Sequence, residues 1–525
     1  MMRLSPIALL LPILLVGACA SDPEPTVVAV APVAPKQKPF PTLEAFLTLE
    51  SGYKKVADSY VDDKPIGPLA YNGLLALPKI DSRLNVYQEK NFIHLAYDGV
   101  DAALLQEPGS EDARGWARIT SEAMQAAARV SPNVRDNNPD QLVKTVFMAT
   151  LSTLDPFSRY LTPDEAKEER THRQGFGGIG VTLEPTDPTL ISGVVPETPA
   201  EEGGLAPGDR IMTVDDLEAA GIAQVDLINK LRGKVGSNVV LTLRRAEKTF
   251  GATLTRRTIY DITVQGKREA NDIAYLRVTG FNAGTSTSLR LAYQRLLRTG
   301  PLKGIVLDLR GNPGGLLDQG WDVADMFISD GPIMTMRDRR GVVSERDADP
   351  DDDIARGLPM VVLVNGRTAS ASEVVAAALQ DSGRAVVIGS ASYGKGLVQS
   401  IMELNNQGNL YLTTKRMHAP SGYHLQRLGV VPALCTTPVT TQPDADKLMA
   451  DLRDGKLNPL ELIRQRRAAD ASDEIARTLV AAACPTVTVQ RSPDFDLDIG
   501  MKVVQDPGLM ERAMRGIPIA AKPNS

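Results

Sequence analysis

At 525 residues the chain is long enough for two or three domains, each with its own core. Apolar residues make up 43% and charged residues 23%, the balance of an ordinary soluble globular protein. A net charge of −6 gives no basic face for nucleic acid, and much of the acidic excess sits in one run, "DADPDDD" (347–353), which reads as a solvated loop.

At the N-terminus, Arg3 precedes "LSPIALLLPILLVGACA" (4–20), which is too short and too broken by proline to span a membrane. It reads as an export signal, so the mature protein is expected on the periplasmic side of the cell envelope. Two processing routes fit. "VGAC" (16–19) resembles a bacterial lipobox and makes Cys19 a lipidated first residue; "ACA" (18–20) fits ordinary signal peptidase and leaves a soluble periplasmic protein. The Pro/Ala/Val-rich stretch 21–41 reads as an extended tether, which favours a lipid anchor as the only membrane attachment.

Residues 42–170 are expected to be mostly helical, because "TLEAFLTLESGYKKVADSYV" and "PDQLVKTVFMATLSTL" carry apolar positions at i, i+3, i+4 spacing. The texture of 171–258 changes to short strands and glycine turns, and this stretch resembles a PDZ domain. "GGIGV" stands where that family has its carboxylate-binding loop, and "LAPGDRIMTVDD" (205–216) matches its turn and following strand. Backbone N–H groups of Gly177, Gly178, Ile179 and Gly180 would converge on a C-terminal carboxylate while the adjoining strand edge accepts a peptide.

Residues 259–435 show α/β alternation. Val- and Ile-rich runs at 304–310, 359–365 and 384–390 read as strands, the first two followed by loops and helical patterns. Right-handed crossovers bring the C-terminal ends of such strands to one edge, where ligands and chemistry gather. Residues 436–525 read as a C-terminal helical segment and tail. The remaining cysteines, Cys435 and Cys484, form no zinc pattern with the few histidines (His94, His172, His418, His424). In an oxidising compartment they form a disulfide, or else remain two buried thiols.

The loops meeting at the sheet edge are "GNPGG" (311–315), "GRTASAS" (366–372) and "SASYGKGLVQ" (390–399). A serine at a helix start has free N–H groups and the positive end of the helix dipole beside it, where an oxyanion can be held. Ser370 and Glu373 also have the spacing of a capping box. No histidine lies in these loops, which leaves His172, His418 and His424 to be brought in by folding. The other available base is a lysine, Lys395, which burial would discharge.

"LDLRGNPGG" (307–315), "TASASEVVAAALQD" (368–381) and "YGKGLVQ" (393–399), with the PDZ-like stretch, resemble the bacterial C-terminal processing peptidases, or tail-specific proteases. The likeness covers roughly 140–432. It implies an α/β multidomain protein: an N-terminal helical region, a PDZ domain, and a ClpP/crotonase-like protease core. It also implies a serine endopeptidase that takes protein substrates by their C-terminal tails and needs no cofactor or metal. At the family's serine-to-lysine spacing, Lys395 selects Ser370 over Ser372, and the glutamine bonded to the lysine falls on Gln399. The N–H of Ala371 and that of Gly314 or Gly315 would form the oxyanion hole. The N-terminal helices would mediate a homo-oligomer or dock a helical adaptor protein. Phe157, Ser390 and Ala433 depart from the family's usual His, Glu and Asp. The rival readings are a catalytically idle PDZ-bearing scaffold that binds C-termini and, from sheet texture alone, an enoyl-CoA hydratase-like enzyme.

Overall fold

Unbroken apolar runs set the central sheet of the α/β region. In the computed structural model its order is Val264–Glu269, Ile273–Val278, Gly304–Asp308, Met360–Val364, Val386–Gly389 and Leu434–Cys435, with the first pair antiparallel and every later pair parallel. Strands covered on both faces read as unbroken apolar runs. Here Leu307, Val362 and Val364 face the helices Thr285–Arg298, Leu317–Asp325 and Ala371–Asp381, whereas Val306, Val361 and Leu363 face Gln442–Arg453, Phe495–Gln505 and Pro507–Met514. A second sheet packs alongside, ordered Val343–Asp347, Pro332–Arg337, Asn409–His418 and Leu397–Glu403, and the short strand Arg159–Leu161 joins it at Asn409–His418.

The described residues run from 40 to 515, with breaks at 342, 356, 458–462, 466–467, 469–472 and 490; the export signal, Cys19 and the tether through residue 39 lie outside them. Among the described residues no helix is long and apolar enough to cross a membrane.

The N-terminal region packs Thr42–Ser59, Ile66–Leu74, Ala113–Val130 and Pro139–Leu151 around Leu49, Tyr53, Trp116 and Phe147, with the Tyr53 and Phe147 rings edge to face at 5.7 Å. A Cβ on Gly52 would come 2.4 Å from Phe147 Cζ, so the glycine is what lets the helices approach. This region is not helical throughout. Leu84–Glu89, Phe92–Tyr97 and Val100–Gln106 form an antiparallel meander. Its turns place Lys90, Asp98 and Gly99 at φ of 53°, 48° and 80°, and an Asp-Gly turn between alternating apolar runs is the local signal for a hairpin.

In the PDZ-like region, strands Lys248–Thr255, Asn238–Arg245, Arg210–Val214, Asp187–Val194 and Val181–Glu184 lie in that order, with the helix Gln224–Leu231 closing a core of Ile191, Ile211, Leu227 and Leu241.

Cys435 and Cys484 are disulfide-bonded, with Cα atoms 5.8 Å apart. The bond ties the last core strand to the segment after the helix Glu474–Ala483. That segment is hydrogen-bonded across the sheet edge: Gly366 N–H donates to Val487 O at 2.8 Å, and Val487 N–H donates to Ser390 Oγ at 3.0 Å.

Candidate active site

The loops at 311–315, 366–372 and 390–399 follow the strands Gly304–Asp308, Met360–Val364 and Val386–Gly389 and meet at one edge. Their meeting is built from short polar links. Asn312 carries several of them: its Nδ2 donates to Val278 O at 3.0 Å, its Oδ1 accepts from Gly314 N–H at 2.9 Å, and its carbonyl accepts from Ala369 N–H at 3.0 Å and Ser372 Oγ at 3.1 Å. Ser372 is therefore a buried strut rather than an exposed hydroxyl.

Ser370 is the residue before the helix Ala371–Asp381, and its backbone lies at φ 58° and ψ −120°. A non-glycine residue there is strained by about 1–3 kcal/mol and persists only where its surroundings hold it. Glu373 does the holding. The capping-box arrangement is present, and Glu373 Oε2 accepts from Ser370 N–H at 2.9 Å. The same oxygen accepts from Lys395 N–H at 2.8 Å, while Oε1 accepts from Gly394 N–H at 2.6 Å and Ser392 Oγ at 2.5 Å. Burial pushes the Glu373 carboxyl above the usual carboxylate range, and these four donors pull it back. One carboxylate thus fastens the serine loop to the lysine loop. In the sequence Glu373 shows only its capping-box spacing from Ser370; its other bonds run to residues about twenty positions away, where no spacing rule looks.

Ala371 N–H, at the first helical position, and Gly315 N–H donate to no acceptor among the described residues, whereas Gly314 N–H is taken by Asn312. The Gly-Gly loop lies directly against the serine, since a Cβ on Gly314 would sit 2.8 Å from Ser370 Cβ and 3.0 Å from Ala371 N. Gly315 has φ 150°, and a Cβ there would come 2.1 Å from Phe281 O.

Lys395 is largely buried. Burial first, and then the Arg159 guanidinium, hold its ammonium below the usual lysine value, while Glu373 and Asp155 pull it back up. Its Nζ lies 4.9 Å from the Phe157 ring centroid and makes no hydrogen bond to Ser370 Oγ. Gln399 departs from the expected bond to Lys395. Its Nε2 donates to Leu397 O at 3.2 Å and to Thr413 Oγ1 at 3.1 Å, because the strand pairing sets Gln399 directly opposite Thr413.

Every histidine is engaged away from Ser370: His94 with Asp101, His172 with Asp261, and His418 with His424.

The four expected PDZ-loop residues divide. Gly177 and Gly178 sit in a short strand, Phe176–Gly178, paired with Arg257–Ile259. Ile179 and Gly180 follow it, and neither amide N–H has an acceptor among the described residues. Beside them a groove of about 330 Å³ is lined by Leu183, Ile228, Leu231 and Arg232.

Residues 272–434 match Peptidase family S41, and residues 190–245 match the PDZ domain family. The carboxy-terminal-processing protease of Bartonella bacilliformis is 38% identical over 315 residues, covering 58% of this chain and 71% of that protein. The chloroplastic carboxyl-terminal-processing peptidase 2 of Arabidopsis thaliana is 33% identical over 362 residues, covering 66% of this chain and 68% of that protein. An edge-of-sheet serine loop, a glycine loop and a buried lysine loop thus lie within a chain that aligns with such relatives over most of their length, and the chain belongs to the carboxy-terminal-processing serine proteases of peptidase family S41.

Proposed function

We propose that Ser370 is the nucleophile and Lys395 its base in an endopeptidase that takes proteins by their free C-termini. The observation that carries this reading is the shared Glu373 carboxylate, which binds the backbone of both residues and so couples their positions. The Ile179 and Gly180 amides receive the substrate's terminal carboxylate, and the apolar groove beside them takes its last side chain. Ser370 Oγ attacks the scissile carbonyl carbon as neutral Lys395 takes its proton. The oxyanion is held by the N–H groups of Ala371 and Gly315, which lack internal acceptors. The C–N bond breaks and Lys395 returns the proton to the leaving amine; water then attacks the acyl carbon as Lys395 takes its proton, the ester C–O bond breaks, and Lys395 passes that proton to Ser370 Oγ. Gln399 completes the base's cradle once it leaves Thr413.

The enzyme is exported to the periplasmic side and anchored through Cys19, a reading supported by the apolar N-terminal segment and the tether. The N-terminal helices supply the surface for a second copy or a helical adaptor. Ser370→Ala and Lys395→Ala should each abolish cleavage of a protein with an apolar tail. Near-normal rates in Lys395→Ala would overturn the Ser-Lys assignment. Loss of palmitate labelling in Cys19→Ser tests the anchor.

A further inference from the structure

The turn 155–158 enters the site from the N-terminal region. Asp155 Oδ1 accepts from Phe157 N–H at 2.7 Å and Ser158 N–H at 2.8 Å, and Oδ2 accepts from Ser158 Oγ at 2.7 Å. Ser158 Oγ in turn accepts from Thr413 N–H at 3.1 Å, which fastens the turn to the strand Asn409–His418. The Phe157 backbone is thereby fixed, and its half-buried ring is presented to Lys395 Nζ at 4.9 Å from the centroid. Lys395 forms no ion pair among the described residues, and the ring face is the contact its ammonium makes. The charged groups acting on Lys395 from the surrounding elements are Arg159, which repels it, and Glu373 and Asp155, which attract it.

We propose that Phe157 is a positioning residue for the reaction: its ring seats the Lys395 ammonium in an unreactive place that the lysine must leave, uncharged, to reach Ser370. The inference rests on the Ser-Lys reading above. Its physical basis is that a ring quadrupole attracts a cation and not a neutral amine. The seat therefore favours the protonated lysine, opposing the burial and the Arg159 charge that favour its discharge, and proton loss is what releases it. Gln399 is held by the same turn at one remove. It donates to Thr413 Oγ1, on the threonine whose N–H is bonded to Ser158. One loop of the N-terminal region thus touches Lys395 directly and Gln399 through Thr413.

The test is the pH profile of kcat/KM for Phe157→Leu and Phe157→Trp on a fluorogenic peptide with a free apolar C-terminus. Folding is checked by thermal unfolding, with Phe157→Met and Phe157→Tyr as alternates for a variant that fails to fold. Removing the ring should move the acid limb down by about half to one pH unit and raise kcat/KM below it roughly three- to tenfold. Tryptophan, the stronger cation partner, should leave the limb at or above the wild-type position. A packing role alone would lower activity at every pH without moving the limb in this order, and that result overturns the seat. The two readings fail separately: an inactive Lys395→Ala with a limb indifferent to Phe157 removes the seat only, whereas an active Lys395→Ala removes the base assignment itself.

Discussion

Ser370 and Lys395 are joined through a single oxygen: Glu373 Oε2 accepts from the backbone N–H of Ser370 at 2.9 Å and of Lys395 at 2.8 Å. The link is between main chains, so it sets where both loops stand before either side chain moves. Glu373→Gln replaces one accepting oxygen with an N–H₂ group that faces donors. We expect kcat to fall ten- to a hundredfold, with about 2–4 kcal/mol lost in urea unfolding from newly unpaired buried donors. Unchanged kcat and stability would show the clamp to be unimportant.

Lys395 is held below the usual lysine value, chiefly by burial, so the sign of its stability contribution is set. A group with a depressed folded-state pKa contributes stability above its unfolded value, and that contribution is lost as pH falls through the folded value. Below the unfolded value the buried lysine is therefore a cost. Lys395→Met should be inactive by at least about a thousandfold yet unfold at a higher temperature than the wild type at pH 7. A variant less stable than the wild type at that pH contradicts the sign.

The PDZ groove predicts discrimination by the end of the substrate. On the proposed reading the Ile179 and Gly180 amides receive the terminal carboxylate, so amidating it should drop kcat/KM at least tenfold. Ile228→Asp places a charge in the apolar groove and should produce the same loss for an apolar tail, mainly through KM. Equal cleavage of amidated and free tails would remove the groove from substrate capture.

Cys435 and Cys484 close a covalent loop spanning 49 positions and pin the segment bonded to Gly366 and Ser390. Cys484→Ser should lower stability by about 2–4 kcal/mol in chemical denaturation. Because that segment braces the loops carrying Ser370 and Lys395, activity should fall well below the temperature of global unfolding. Activity that tracks the wild type up to that temperature would confine the disulfide to stability.

His418, buried, is pushed down to about 4 by burial first, with the charges of His424 and Arg337 adding repulsion and a hydrogen bond to the Arg416 backbone opposing them. Its contribution is present above pH 6.5 and lost as pH falls through about 4. His418→Gln should flatten the fall in stability between those values, seen as a smaller drop in urea midpoint; an unchanged slope assigns the acid sensitivity elsewhere.

The composition of short segments made much of this protein legible. Val-rich strand runs, the glycine loops and the serine at a helix start are local patterns, because a buried strand, a tight turn and a helix cap each impose their own residues. The meander at 84–106 was legible too, in the Asp98-Gly99 turn, but the helical periodicity on either side masked it. The resemblance supplied the rest of the chemistry, and with it a bond from Gln399 to Lys395 that the strand register replaces with one to Thr413.

What tertiary structure alone decided are the contacts between segments far apart in the chain. Gly315 rather than Gly314 keeps a free N–H only because Asn312 folds back onto the latter. Phe157 meets Lys395 across more than two hundred positions, and Glu373 reaches both the serine loop and the lysine loop only after two strands lie side by side. Residue types and local spacing determine which elements form and which side chains are able to react. Their distances, burial and shared partners come from packing, which no window of sequence contains.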